Sequence, residues 1–304
     1  MALIHDRNFD PEHGRPVEIA PGVRRMTAGN AGPFTFHGTN TYLIGEQEIA
    51  VLDPGPDDDA HVEAIVKAAG ANRIAAILVS HTHRDHSPGA RLLQSLTGAP
   101  TFGEGPHRSA RPLAAGEINA LEGSGDRDFI PDTALGDGET VCLAECSLTA
   151  IATPGHAANH LAFALEGTGI VFSGDHVMAW STSIVAPPDG SMADYMASLD
   201  RLLARSDDIL FPGHGGPVRD PAAYLAALKA HRLGREKAVL DQLRAGRHRV
   251  EDMVATIYKD VDPRLHSAAA LSLLAHLEDL VNRGVVVCEG PVDLTGRYSP
   301  ATHG

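Results

Sequence analysis

The segment His81-Thr82-His83-Arg84-Asp85-His86 puts three imidazoles and a carboxylate within six residues, directly after the apolar run Ile74 to Val79. Such a group is costly to hold together unless a cation sits among it, so the surrounding fold has to deliver a strand end to an ion. Imidazole nitrogen and carboxylate oxygen are the ligands of catalytic zinc sites, which keep a position open for water. Two zinc ions are expected once the rest of the chain is read, with iron or manganese the alternatives at one or both positions and nickel also compatible with imidazole.

The flanking pattern places this segment in a strand-to-helix loop. Thr41 to Ile44 and Glu48 to Leu52 are β-type runs split by Gly45, as in a hairpin. Asp59 to Ala69 has helical spacing and Gly70 just past its end, Ile74 to Val79 is a strand, and Ser87-Pro88 reads as an N-cap with proline opening a helix to about Leu96. Open α/β folds put chemistry in such loops. Residues 103–138, rich in Gly, Pro, Asp and Arg, are too long for an ordinary connection and read as a surface insertion or an active-site flank. Further strands are expected at Glu139 to Ile151, His160 to Leu165, Ile170 to Phe172 and Ile209 to Phe211, with a helix at Met192 to Arg205. After Asp220-Pro221 the pattern turns helical over Ala222 to Arg244, Val250 to Lys259 and Pro263 to Arg283, and Gly284 to Val287 forms a β-branched tail. The division is a catalytic domain at 1–221 and a winged-helix-like unit at 222–304.

Three more turns share the style of the first cluster: Thr153-Pro-Gly-His156, Ser173-Gly-Asp175-His176 and Phe211-Pro-Gly-His214. Glycine beside the ligand lets the backbone turn sharply and approach a metal. Together they supply five histidines and two aspartates, enough for two metals with one carboxylate between them. His107, His160, His176 and His231 have no slot in this set, although His176 is a candidate to orient a ligand. Asp53, ending its strand before Pro54-Gly55, caps a turn or orients a ligand histidine.

Composition narrows the function classes. The 304 residues carry 25 Lys and Arg against 39 Asp and Glu, a net charge of -14, which disfavours broad attraction to nucleic acid or anionic membranes, while a cationic metal cluster still attracts a phosphate. Cys142, Cys146 and Cys288 cannot form a disulfide framework and suit a reducing compartment; Cys142 and Cys146 are expected as buried small hydrophobes. No stretch approaches the roughly 20 apolar residues of a membrane span, and the N-terminus lacks a basic start followed by an apolar run. The expected setting is cytoplasmic, with the mature form of a processed precursor as the alternative.

The ordered set of turns resembles the metallo-β-lactamase superfamily over roughly Gly22 to Arg219. The resemblance implies an α/β fold, the αββα sandwich with ligand loops along one edge of two packed sheets. It also implies one metal on His81, His83 and His156, a second on Asp85, His86 and His214, and Asp175 bridging, with hydrolysis by a metal-bridging hydroxide that Asp85 orients. The di-iron oxygen-reducing branch has Glu in the slot of His83, and antibiotic-hydrolysing members lack the aspartate found here as Asp175, so neither chemistry is expected. Glyoxalase II shares the ligand set, but its last ligand stands in Cys-Gly-His-Glu rather than Pro-Gly-His214-Gly.

The segments Gly38-Thr-Asn-Thr-Tyr-Leu-Ile-Gly45, Asp194-Tyr-Met-Ala-Ser-Leu199, Pro212-Gly-His-Gly215 and His231-Arg232 are most similar to the lactamase-β-like endoribonuclease group and its bacterial relatives. That similarity implies cleavage of single-stranded RNA phosphodiesters, with Arg244, Arg247 and Arg249 available to track a backbone. The alternative is a thioester or lactone hydrolase, glyoxalase II-like in chemistry, acting on a small acyl metabolite. The acidic balance and sparse aromatics favour it, with Phe34, Phe36, Met178 and Trp180 available to line an apolar pocket. A third reading makes the helical tail a partner-binding or dimerising unit. A long channel with basic walls points to RNA and a closed apolar cavity to an acyl substrate.

Overall fold

The computed structural model describes residues 3–114, 117–259 and 265–301. Two sheets face each other. The first runs in chain order: β1 (Val17–Ala20), β2 (Val23–Thr27), β3 (Asn40–Ile44), β4 (Glu48–Leu52), β5 (Arg73–Leu78), β6 (Thr101–Gly103) and β7 (Thr133–Ala134), antiparallel as far as β4 and parallel beyond it. The second has the order β12 (Ile209–Pro212), β11 (Ile170–Gly174), β10 (Leu161–Leu165), β9 (Ser147–Ala152) and β8 (Thr140–Cys142), with only β11 and β12 parallel.

Alternation along the strands builds three layers of apolar contact. On β3, Tyr42 and Ile44 point between the sheets with Leu52, Leu78, Leu148, Phe163 and Phe172, while Leu43 points the other way. Fully burying a side chain such as Phe163 stabilises the fold by roughly 1.5–3 kcal/mol, and Phe163→Ala costs about 3–5 kcal/mol because a cavity remains. The outer face of the first sheet packs on α1 (Asp59–Ala69) and α2 (Gly89–Thr97) through Leu43, Val51, Val62, Ile65, Ile77 and Leu93. Asp58 accepts from the Ala60 and His61 amides to start α1, and Gly70 ends it at φ 64°, where other residues are strained. The outer face of the second sheet packs on α3 (Met192–Leu203) and the first turns of α4 (Pro221–Arg244) through Val171, Tyr195, Leu199, Leu225 and Leu228. The result is the expected αββα order of layers.

Beyond the sandwich, the second half of α4 packs with α5 (Val250–Ile257), α6 (His266–Asn282) and a hairpin of β13 (Val286–Glu289) and β14 (Arg297–Pro300) around Val239, Leu243, Met253, Leu273, Leu277 and Tyr298. Helix α4 thus contributes to both cores. The expected helix start at Pro263 lies outside the described residues, and the tail expected as a β-branched run is the first strand of the hairpin. Among the described residues no helix is long and apolar enough to cross a membrane.

Three expectations need correction or resolution. Cys142 is exposed and Cys146 half-buried, because β8 is the edge strand of its sheet and Cys142 points away from the core. Ser87 does not cap α2: its hydroxyl donates to Asp126 at 2.6 Å, and Pro88 occupies the cap with helical dihedrals. That bond belongs to a larger tie. Within residues 103–138 the Ser124 carbonyl accepts from the Arg84 amide at 2.8 Å, and the Asp126 amide donates to Thr82 at 2.8 Å. This segment is therefore a flank of the histidine loop rather than a detached insertion.

Candidate metal centre

Every candidate ligand follows a strand end at one edge of the sandwich: His81, His83, Asp85 and His86 after β5, His156 after β9, Asp175 after β11 and His214 after β12. The sheets are tied together there, with the Leu161 amide donating to Ser80 and the Asn40 amide to Gly213, both at 2.7 Å. All seven side chains come together in two groups, His81 with His83 and His156, and Asp85 with His86, Asp175 and His214; within each group the donor atoms lie within 4.8 Å of one another. Asp175 reaches both: its Oδ2 is 3.2 Å from His214 Nε2 and 3.7 Å from His156 Nε2.

The hydrogen bonds on the far side of each ring decide where the lone pairs point. His156 Nδ1 faces the Ile184 carbonyl at 2.6 Å, His214 Nδ1 the Gly38 carbonyl at 3.2 Å, and His86 Nδ1 the Asp53 carboxylate at 3.0 Å. These partners only accept, so each Nδ1 carries the proton and each Nε2 presents a lone pair inward. His81 follows through Ser80, whose hydroxyl hydrogen goes to Asp53 at 2.7 Å, leaving its oxygen to accept from His81 Nδ1 at 3.0 Å. His81 Nε2 and His156 Nε2 each lie 3.0 Å from His83 Nδ1, and His86 Nε2 lies 3.3 Å from His214 Nε2. Facing lone pairs repel unless positive charge lies between them.

A divalent ion fits this arrangement. Tetrahedral zinc with Zn–N near 2.0–2.1 Å sets its ligand atoms about 3.4 Å apart. The second group has Asp85 Oδ2 at 3.4 Å from His86 and 3.2 Å from His214, and Asp175 Oδ1 at 3.5 Å from His86. Titration follows the same field. Burial, and then neighbouring imidazoles, hold His81 well below its ordinary value and His83 down to about 3. Burial pushes the same way at His86 and His214 but is outweighed by Asp85 and Asp175, which hold His86 well above the usual range and His214 up to about 9. Against the pull of burial, the histidines in turn keep both carboxylates well below the ordinary carboxylate range. The acids draw positive charge to the point between His86 and His214, whether it arrives as protons or as a metal ion.

Backbone approach explains the glycines. A Cβ on Gly213 would stand 2.4 Å from Asp175 Oδ1 and 2.7 Å from His86 Cε1. The adjoining His214 turn is held by Tyr42, whose hydroxyl donates to the Pro212 carbonyl at 2.6 Å, and by Asn40, whose amide donates to Pro212 and Gly215. Residues without a slot in the ligand set divide. His160 accepts from the Asp175 amide at 3.1 Å and bonds Thr153 at 2.8 Å, a positioning role the ligand pattern did not reveal. His107 bonds Thr82 at 3.0 Å. Among the described residues His176 orients no ligand through a hydrogen bond: both ring nitrogens lack partners there, and the ring packs on Tyr195 at 4.4 Å. Asp53 orients His86 directly and His81 through Ser80.

From the ligand cluster opens a cavity of about 760 Å³. His83, Asp85, His156 and Asp175 form one part of its wall, Phe34, Leu121, Met178, Trp180 and Ile184 an apolar part, and His231, Arg232, Arg235 and Leu271 from α4 and α6 the remainder. Trp180 is stacked on Phe36 with centroids 4.8 Å apart and planes 7° from parallel, which stiffens the apolar side. Arg244, Arg247 and Arg249 do not line it; Arg244 pairs with Asp241 and Arg247 with Gln242.

Two facing sheets between helices, with histidine and aspartate turns gathered at one edge, define a class of hydrolase that binds divalent metals. The chain belongs to the Metallo-beta-lactamase superfamily, whose family profile matches residues 34–214, and a Beta-lactamase associated winged helix domain matches residues 250–292. Among its relatives, an Atrochrysone carboxyl ACP thioesterase of Aspergillus chevalieri is 30% identical over 76% of this chain and 68% of its own length. A Beta-lactamase-like protein 2 homolog of Caenorhabditis elegans is 28% identical over 90% of this chain and 89% of its own. A solved metallo-beta-lactamase family protein from Thermus thermophilus superposes with a TM-score of 0.74 at 26% identity, covering 93% of this chain and all of that one.

Proposed function

We propose that this chain is a dinuclear zinc hydrolase of thioesters of a small acyl substrate, with His81, His83 and His156 holding one ion, Asp85, His86 and His214 the other, and Asp175 reaching both. The observation that carries the reading is the cavity: about 760 Å³, largely apolar, and open onto His83, Asp85, His156 and Asp175. It has the size and lining of a small-molecule site. The relative named as an acyl-carrier-protein thioesterase supports the same chemistry. In our division, residues 1–221 carry the reaction and residues 222–304 close the substrate cavity.

Bound divalent ions would polarise the carbonyl and bring a water near its point of ionisation at neutral pH. The chain's own residues do the rest. Asp85, whose side chain keeps 27% of its surface exposed, accepts a hydrogen bond from the attacking water and orients it. Water adds to the thioester carbon, the carbon–sulfur bond breaks, and the products are a carboxylic acid and a thiol. Phe34, Met178 and Trp180 cover the acyl chain and exclude bulk water from it.

The test is a panel of acyl-CoA, acyl-pantetheine, glutathione thioester and lactone substrates offered to metal-loaded protein, with labelled single-stranded RNA alongside. Thioester turnover at least a hundredfold above an Asp85→Ala control supports the proposal, and background turnover across the panel removes it. RNA cleavage above that control would move the assignment to phosphodiester hydrolysis, the reading implied by the endoribonuclease resemblance.

A further inference from the structure

We propose that Arg232 and Arg235 form an oxyanion-recognition subsite on the α4 wall of the cavity, so that the substrate carries a carboxylate or phosphate apart from the carbonyl that is cleaved. The inference rests on the acyl-substrate reading and adds to it a charge requirement.

Positions 232 and 235 stand three apart on α4 and so share one face of the helix, and both line the cavity. Arg232 is 4% exposed. Its guanidinium donates to the Ser183 carbonyl and lies over the Tyr195 ring at 4.7 Å, while its buried Nε has no partner among the described residues. Arg235 donates to the Ile257 carbonyl at 2.9 Å and lies over Tyr258 at 4.6 Å. Among the described residues neither guanidinium has a carboxylate within ion-pair distance. Other cations packed on this helix do: Lys229 pairs with Asp200, Lys237 with Asp241, and Arg283 with Glu236.

Burying a guanidinium without a counter-charge is expensive, and natural chains almost always supply a carboxylate. Among the described residues the three acids on the cavity wall are engaged elsewhere. Asp85 and Asp175 belong to the ligand cluster, and Asp189 accepts from Ser109 at 2.6 Å and Asn119 at 3.0 Å. The positive charge of the pair is felt by its neighbour: burial, then Arg235 and Arg232, press the half-buried His231 down to about 4. Two forked donors on a cavity wall, with unused N–H groups and no acid opposite among the described residues, are built to meet a carboxylate or a phosphate oxyanion. The subsite also lies close to the reacting end, because Ser183 links Arg232 to the backbone of Asp175 through a hydroxyl bond.

A carboxylate would belong to the acyl group and a phosphate to a pantetheine carrier arm. Metal-loaded enzyme is assayed with two matched pairs: hexanoyl and adipoyl thioesters of N-acetylcysteamine, and hexanoyl-pantetheine with hexanoyl-4′-phosphopantetheine. A charge-assisted contact predicts about tenfold or greater preference in kcat/KM for the charged member of one pair, and which pair shows it identifies the source of the anion. The ratio should fall to within about threefold in Arg232→Gln and Arg235→Gln. The second variant changes a half-buried side chain and keeps the test valid if the first does not fold. Ratios near one in both pairs for the wild type, or a preference retained in Arg235→Gln, overturn the subsite. Trp180, the single tryptophan, lies on the same cavity and reports binding without turnover. Its fluorescence is titrated with adipate against hexanoate and with 4′-phosphopantetheine against pantetheine. If no thioester is hydrolysed, the thioesterase reading fails alone. Tenfold tighter binding of the charged ligand, lost in Arg235→Gln, then still supports the subsite, and equal binding refutes it.

Discussion

Replacing Asp53 by Asn separates shape from charge at the residue that orients a histidine in each of the two candidate ligand groups. Asp53 sits at φ 51°, a conformation that Asn tolerates, so the backbone has no reason to move. One carboxylate oxygen accepts from the Ser80 amide at 2.7 Å, and Asn retains that bond through its own oxygen. The other accepts from Ser80 Oγ at 2.7 Å and His86 Nδ1 at 3.0 Å, and in Asn that position becomes an NH2 facing two donors. To avoid the clash His86 must carry its proton on Nε2, the atom that faces His214 Nε2 at 3.3 Å. The ligand lone pair is then gone from the centre. Loss of such an orienting partner typically costs 10–100-fold in metal affinity, or about 1.4–2.8 kcal/mol. The larger loss is expected in the group containing His86, and a smaller one at His81, which Asp53 reaches only through Ser80. Competition against a chromophoric chelator, with elemental analysis for stoichiometry, should show one site weakened well beyond the other. The melting temperature of the chelator-treated variant should stay close to that of equally treated wild type. If Asp53→Asn binds both ions with wild-type affinity, the account of how the ring tautomers are set is wrong.

Gly213→Ala should leave the sandwich folded but reduce metal content, because its Cβ would stand 2.4 Å from Asp175 Oδ1; full occupancy by elemental analysis would contradict the close approach. Removing metal with a chelator should lower the melting temperature, by about 5 °C for an ion present at a hundred times its dissociation constant, and calorimetry with and without chelator reads the shift. Acid stability should depend on His276, which burial, and then Arg232 and its neighbours, push down to about 3 from an ordinary value of 6.5. The folded state keeps this ring neutral while the unfolded chain protonates it, so its share of stability is intact above pH 6.5 and is lost progressively as pH falls toward 3. The loss is about 2 kcal/mol by pH 5. His276→Leu should flatten this part of the pH profile in urea melts, and an unchanged slope would assign the acid sensitivity to other groups.

The candidate site was legible because its proposed ligands are encoded as short strand–turn–residue units. The turns before His156, Asp175 and His214 each combine a strand end with glycine, and both features act over three or four residues of backbone. The two-sheet sandwich was implied by the family resemblance, and within it strand geometry decides which layer each side chain meets, as Leu43 and its neighbours Tyr42 and Ile44 illustrate by facing opposite layers. Elsewhere local pattern misled. Cys142 looked like a buried hydrophobe because nothing nearby in the chain says that β8 lies at a sheet edge. Ser87 looked like a helix cap because its hydroxyl partner, Asp126, arrives from a loop 39 residues away.

Residue type, order and spacing placed the candidate imidazoles and carboxylates in short turns at strand ends, since short-range sterics and periodicity act within a few residues; the family resemblance, not the spacing, implied that those turns meet at one edge of an αββα sandwich. Packing of the layers settled which partner each of those groups meets. Asp53 finds Ser80 and His86, His160 finds the Asp175 amide, and Arg232 comes to rest on a cavity wall with no carboxylate at ion-pair distance among the described residues. Those meetings join residues from separate strands and helices, and their energies exist only once the sheets have closed on each other and excluded water.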